Sequence, residues 1–159
     1  MDKLKFKNKV SWQHFDPSGN LVNSGCGYNQ AQTELLTAVR SMLYDDGNAN
    51  SQIFGMGIGT GAAPNQAATA LTSLVSAETC GTGQMTETDA DTLTCEVTFT
   101  ATASWTIAEA GLFGEDATCD DHMLFCYGDA HSGEDLSESL ATDDTLTITW
   151  TIDFADDGS

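Results

Sequence analysis

The sequence predicts a mainly β fold, an antiparallel sandwich or barrel-like sheet with one packed α-helix. Three patterns carry that expectation. Leu93, Cys95, Val97, Phe99, Ala101, Ala103, Trp105 and Ile107 fall on every second residue, with Thr, Glu or Ser between them. Leu146, Ile148, Trp150, Ile152 and Phe154 alternate in the same way with Thr145, Thr147, Thr149, Thr151 and Asp153. Period two over such lengths is a strand with one buried and one wet face. These two ribbons are expected to be neighbours in one antiparallel sheet. The third pattern is helical: between Asn29 and Leu43, residues Leu35, Leu36, Val39, Met42 and Leu43 recur at three and four, making one apolar stripe.

The remaining elements follow in chain order. Lys3, Lys5, Lys7 and Lys9 alternate with Leu4, Phe6 and Asn8. Residues 1–9 therefore form a basic arm with two apolar anchors, ahead of a single β-rich domain over 10–155 and an acidic tail over 156–159. Val10–Phe15 and Leu21–Val22 flank Asp16-Pro17-Ser18-Gly19-Asn20, a strong turn signal that closes a hairpin. Asn29 can cap the helix, and Asp45-Asp46-Gly47 ends it. Ile53–Ile58 is a buried strand running into Gly59-Thr60-Gly61, and 67–75 is a short helix or an extended segment. Residues 79–90 are expected to be polar loop. After Ile107 a turn feeds a short strand ending at Phe113, and Met123–Tyr127 is another. Residues 114–121 and 128–144 are expected to be acidic connections. The core is expected to include Trp105, Ile107, Leu112, Phe113, Trp150, Ile152 and Phe154.

Charge excludes some functions. Asp and Glu number 24 against 5 Lys and Arg, a net −19. The four lysines against Asp2 give the first nine residues +3, which leaves −22 on the rest. Such a body repels nucleic acid, whose binding requires cations that displace phosphate counterions. The acidity suits solubility in a salty habitat or a basic partner. No apolar run approaches the ~18 residues of a membrane span. The N-terminus lacks the apolar stretch of a secretory signal.

Candidate chemistry is thin. Gly55-Met56-Gly57-Ile58-Gly59-Thr60-Gly61 follows a strand, but no GK[ST] closes a phosphate loop and no βαβ repeat surrounds it. Close packing is the expected use of those glycines. Cys119, His122 and Cys126 are weak candidates for a metal site, because the paired ligand dipeptides of a zinc finger are absent. The acidic stretches lack EF-hand spacing. No nucleophile elbow is present, so no catalytic residue and no cofactor are expected. Cys26, Cys80, Cys95, Cys119 and Cys126 are odd in number, and their spacing gives no disulfide pairing. His14 and His131 have no evident partners. Glu109 is the one charge in Ile107–Phe113, either solvent-facing or accepting backbone N–H bonds that hold a bend.

Three pieces together carry a resemblance, the first being the opening hairpin of Val10-Ser11-Trp12 with Phe15-Asp16-Pro17-Ser18-Gly19-Asn20-Leu21. Phe54–Gly61 followed by Ala70-Leu71, then Ile107-Ala108-Glu109-Ala110-Gly111-Leu112-Phe113 with Met123-Leu124, then Asp144–Ile152, resemble the "GIGTG…TAL", "EAGLF" and "DTLTVTWTI" pattern of small virion proteins of tailed phages and tailed archaeal viruses. The cysteines and the loops 114–122 and 128–144 depart from that pattern. The resemblance implies a non-enzymatic structural protein located in the virion. It implies an oligomer, with a trimer favoured, decorating or cementing the capsid, and the acidity would suit a virus of a saline host. Its expected partners are the major capsid protein or other virion proteins, with no nucleic acid and no membrane. The alternative is a tail, baseplate or fibre component that contacts the host surface. Within this reading Lys3, Leu4, Lys5, Phe6, Lys7 and Lys9 form an assembly arm.

Overall fold

The computed structural model describes residues 7–28, 30–31, 53–62, 64–79, 85–89, 92–114, 118–128 and 134–153. These are mainly β and antiparallel, with no helix among the described residues. The strands are β1 (Lys7–Phe15), β2 (Leu21–Tyr28), β3 (Gln30–Ala31), β4 (Ile53–Gly59), β5 (Leu74–Thr79) and β6 (Met85–Asp89). They continue as β7 (Thr92–Thr100), β8 (Trp105–Ile107), β9 (Glu109–Gly114), β10 (Met123–Gly128), β11 (Glu138–Leu140) and β12 (Thr145–Asp153). A first sheet has the order β2-β1-β12-β7-β6, a second β3-β10-β9-β4-β5, and β11 pairs with β8 in a two-stranded ribbon.

The two alternating ribbons are neighbours. β7 and β12 run antiparallel in unbroken register from Thr92↔Asp153 to Thr100↔Thr145. Their apolar positions point one way and pack with Val10 and Trp12 of β1 against Met56, Ile58, Ala110, Leu112, Phe125 and Tyr127 of the second sheet. The inner faces of both sheets thus share one core, centred where Trp150 meets Phe125 with ring centroids 6.4 Å apart. The turn between β1 and β2 is tied by Asp16, whose Oδ1 accepts the N–H of Ser18 and of Asn20, both at 2.9 Å, while Gly19 supplies a φ of +82°. The Asn20 side-chain amide, which donates to Oδ2 at 2.8 Å, and then the Asn20 backbone N–H hold the Asp16 carboxyl below its ordinary range.

Several sequence expectations need correction. Gln30 and Ala31, the first described residues of the expected helix 29–43, are strand and pair with Cys126 and Phe125. The rest of that helix lies outside the described residues. The expected continuous strand from Leu93 to Ile107 is interrupted at 101–104. Its alternation resumes in β8, which changes partner from β12 to β11. Two expected loops contain strands, β6 within 79–90 and β11 within 128–144. Both are short and polar, so pairing with a waiting edge defines them and no hydrophobic period announces them. β1 starts at Lys7, paired with Asp153, which is compatible with an arm that runs as a strand into Val10–Phe15. Lys3, Leu4, Lys5 and Phe6 lie outside the described residues, as do Phe154 and the tail 156–159.

The second sheet is buried on both sides at its centre, since every residue of β9 and β10 is buried. Its outer face is covered by a small cluster of Leu71, Phe113, Cys119, Met123 and Cys126. The alternating glycines of β4 explain how the cover comes so close. Met56 and Ile58 point into the main core, which leaves Gly57 and Gly59 on the outer side. Gly57 pairs with Gly111 of β9, and this glycine pair is the floor beneath Leu71. A Cβ on Gly111 would lie 3.2 Å from Leu71 and 3.0 Å from the Met123 sulfur.

Candidate functional site

The site with the strongest sequence signature is built around Glu109. Its carboxylate is fully buried and accepts three backbone N–H groups: Ser73 at 2.7 Å and Gly61 at 3.1 Å on Oε1, and Thr72 at 2.8 Å on Oε2. Those donors belong to the two ends of the segment 60–73. Thr60 N–H also donates to the Ser73 carbonyl at 2.9 Å, and Thr72 Oγ1 donates to the Ala62 carbonyl at 2.9 Å. The segment is therefore a loop closed at its neck by one carboxylate, a compact Ω-type arrangement. Its body lies on the second sheet: Leu71 enters the outer cluster, and Met123 N–H donates to the Thr69 carbonyl at 2.9 Å. Gly59 and Gly61 back directly onto Glu109. A Cβ at Gly61 would stand 2.7 Å from Oε1, so no side chain fits there. Gly61 of "GIGTG", Thr72 and Ser73 directly after "TAL", and Glu109 of "EAGLF" thus meet at one point, carboxylate to backbone.

A second buried polar cluster joins the hairpin to the ribbon. Glu138, on β11, accepts the Trp12 indole N–H at 2.8 Å and an Asn23 amide N–H at 2.8 Å on Oε1. Its Oε2 lies 3.3 Å from His14 Nδ1. The other ring nitrogen, His14 Nε2, faces Asp144 Oδ2 at 3.0 Å. Asp144 also accepts the Ala141 N–H at 2.8 Å, and its own carbonyl accepts the Ala101 N–H at 2.8 Å. The Ala141 bond first, and His14 next, hold the Asp144 carboxyl below its ordinary range. The histidine without an evident partner in the sequence is bracketed by two acids more than a hundred residues away. Nearby, the Tyr127 hydroxyl donates to the Glu134 carbonyl. Its ring lies 5.7 Å from that of Trp12 and fills space that Gly27 leaves open. Burial first, then the charge of Asp135, pushes the Tyr127 phenol up to about 12.

Both clusters act as fasteners. Each buried acid is met by fixed donors from segments distant in sequence, which satisfies the carboxylate and fixes the segments. Sequence reasoning anticipated a holding role for Glu109 as one of two options. It missed Glu138 and Asp144, which are indistinguishable in sequence from the solvated acids around them.

The weak metal candidates are differently placed. Cys119 and Cys126 are buried in the outer cluster, and Cys126 Sγ lies 3.7 Å from the Pro64 carbonyl oxygen. His122 is part-exposed with φ of 56° and Nε2 3.7 Å from Asp121 Oδ2. No group of three or more metal-type side chains occurs among the described residues. Of the expected core, Ile107, Leu112, Phe113, Trp150 and Ile152 are buried, and Trp105 is partly buried against the main core. No family model, curated protein or solved structure matches the chain.

Proposed function

We propose that this chain is a non-enzymatic structural protein of a tailed-virus particle, a β-sandwich that decorates or cements the capsid as an oligomer. The observation that carries the reading is the Glu109 clamp. It joins two of the segments that resemble the virion-protein pattern, Phe54–Gly61 with the residues just after Ala70-Leu71 and Ile107–Phe113, so that part of the pattern encodes a way of holding a covered sheet together. A sandwich is the natural description of two antiparallel sheets whose inner faces share a core. The buried acids support a scaffold role, because their lone pairs are engaged by backbone, indole and amide donors. A chain of net −19 favours solubility and offers cationic partners a field. The basic residues ahead of β1 are the complementary feature, suited to an acidic neighbour in the shell.

The test is quantitative mass spectrometry of purified particles from the encoding virus. A fixed stoichiometry against the major capsid protein, surviving high-salt washing, is expected. Absence from particles, with the chain abundant in infected cells, would sink the proposal. Immunogold label confined to tails would favour the tail or fibre alternative.

A further inference from the structure

We propose that His14 is a proton-operated latch: its ring, protonated on both nitrogens, ties the β1–β2 hairpin to the β8–β11 ribbon and releases it when the extra proton leaves. The first reason is hydrogen-bond valence. Nδ1 faces Glu138 Oε2 at 3.3 Å, and Nε2 faces Asp144 Oδ2 at 3.0 Å. A neutral imidazole has one N–H and one lone pair, so it can donate to only one of two carboxylates. An imidazolium donates to both. The neutral ring would aim a lone pair at a carboxylate oxygen where His14 is 4 % and Glu138 is 3 % exposed. A buried polar contact left unsatisfied in that way is costly.

The second reason is charge. The two acids are otherwise met by neutral donors only, the Trp12 indole and the Asn23 amide on Glu138 Oε1 and the Ala141 N–H on Asp144. Neither is paired with a lysine or arginine among the described residues. Asp16, at the end of β1, adds a third acid that acts on Asp144. Carboxylates gathered in a buried site repel unless a cation stands between them, and His14 stands there. After the Ala141 N–H, it is His14 that holds the Asp144 carboxyl low.

The third reason is placement. His14 lies in register between Asn23 of β2 and Leu146 of β12, whereas Glu138 belongs to β11 and pairs with Ile107 of β8. Just past β8, the Ala108 N–H donates to the Gly59 carbonyl at 2.9 Å, next to Glu109. The ribbon is thus held at one end by the Glu109 clamp and at the other by His14. Loss of the proton takes a donor from Glu138 or Asp144, so the ribbon loosens at its hairpin end. The sign follows from linkage. A folded state that holds a proton the unfolded chain gives up more readily is favoured at mildly acid pH and loses that advantage as pH rises. Asp144 sets the acid limit, since its lowered carboxyl keeps its charge until pH falls through that lowered value. The latch does not rest on the virion reading.

The experiment has two arms, both on the full chain. Nitrogen-15 NMR of histidine-labelled protein, with each ring assigned through its bonds to the backbone, reads His14 directly. Two protonated ring nitrogens at about pH 7 are expected. One protonated and one bare nitrogen overturns the proposal. The second arm is chemical denaturation from about pH 6 to about pH 9 of the parent and of Glu138→Gln. In the variant Oε1 still accepts Trp12 and Asn23, while the new amide donates to the bare Nδ1 of a neutral ring, so no extra proton is needed. Relative to the variant, the folding equilibrium constant of the parent is expected to fall with rising pH by up to about tenfold per pH unit, the limit for one proton. Parallel curves, whatever their offset, would mark Glu138 as a structural acid alone and overturn the latch. If the variant does not fold, the ring protons of the parent decide by themselves.

Discussion

Glu109 shows how one side chain can hold a fold. Removing its carboxylate breaks three part-buried N–H bonds, each worth about 1.5–3 kcal/mol as a bond to a charged acceptor. Glu109→Ala is therefore expected to lose at least about 3 kcal/mol in chemical denaturation. Glu109→Gln keeps an oxygen for Ser73 and Gly61 but turns an amide donor toward the Thr72 N–H, so an intermediate loss of about 1–2 kcal/mol is expected. Equal, negligible losses would show that the loop neck does not depend on this group. Tyr127 makes a pH prediction. Its folded phenol titrates at about 12 against an ordinary 10.0, so the neutral form is favoured by folding. Its contribution is complete below pH 10 and is lost as pH rises toward about 12. Tyr127→Phe is expected to weaken the protein by about 1 kcal/mol at neutral pH, for the lost hydrogen bond, and to flatten the alkaline fall in stability. An unchanged alkaline limb would contradict the assignment. Little of this was legible beforehand. Glu109 stood out as the one charge in an apolar run. Glu138 and His14 could not, since the spacing between them is set by tertiary structure alone.

At the scale of the element, alternation was the reliable signal. The inner positions of β7 and β12 are buried because period two assigns every second side chain to one face. Trp150 is wholly buried against Phe125, so Trp150→Ala is expected to cost about 3–5 kcal/mol. Thr149→Ala, one residue along on the outer face, should stay within about 0.5 kcal/mol. Comparable losses in both would mean the faces are misassigned. The Asp16–Asn20 turn was legible because its chemistry is local: an aspartate accepting two nearby N–H groups and a glycine at positive φ. β6 and β11 were not, because what makes them strands is a partner. The interruption at 101–104 was hidden by an alternation that continues through a change of sheet. Gln30 and Ala31 pair as strand where an Asn cap and a downstream leucine stripe suggested a helix start.

For the whole molecule, the polarised charge is the feature that asks for a function. The lysines ahead of the body face a chain of opposite sign, and an extended arm can join a neighbour by strand addition or charge. Because Lys7–Lys9 belong to β1, a fair truncation ends at Phe6. Deleting Met1–Phe6 is expected to leave melting unchanged and to reduce attachment to particles, most at low salt and less as salt screens the lysines of the intact chain. Full loading of the truncated chain, on particles as heat-resistant as before, would make the arm dispensable. Cryo-EM of intact particles tests the central claim most directly. We predict density for this two-sheet body at symmetry-related positions on the outside of the capsid, in contact with the major capsid protein. Capsids fully accounted for without it would contradict the proposal.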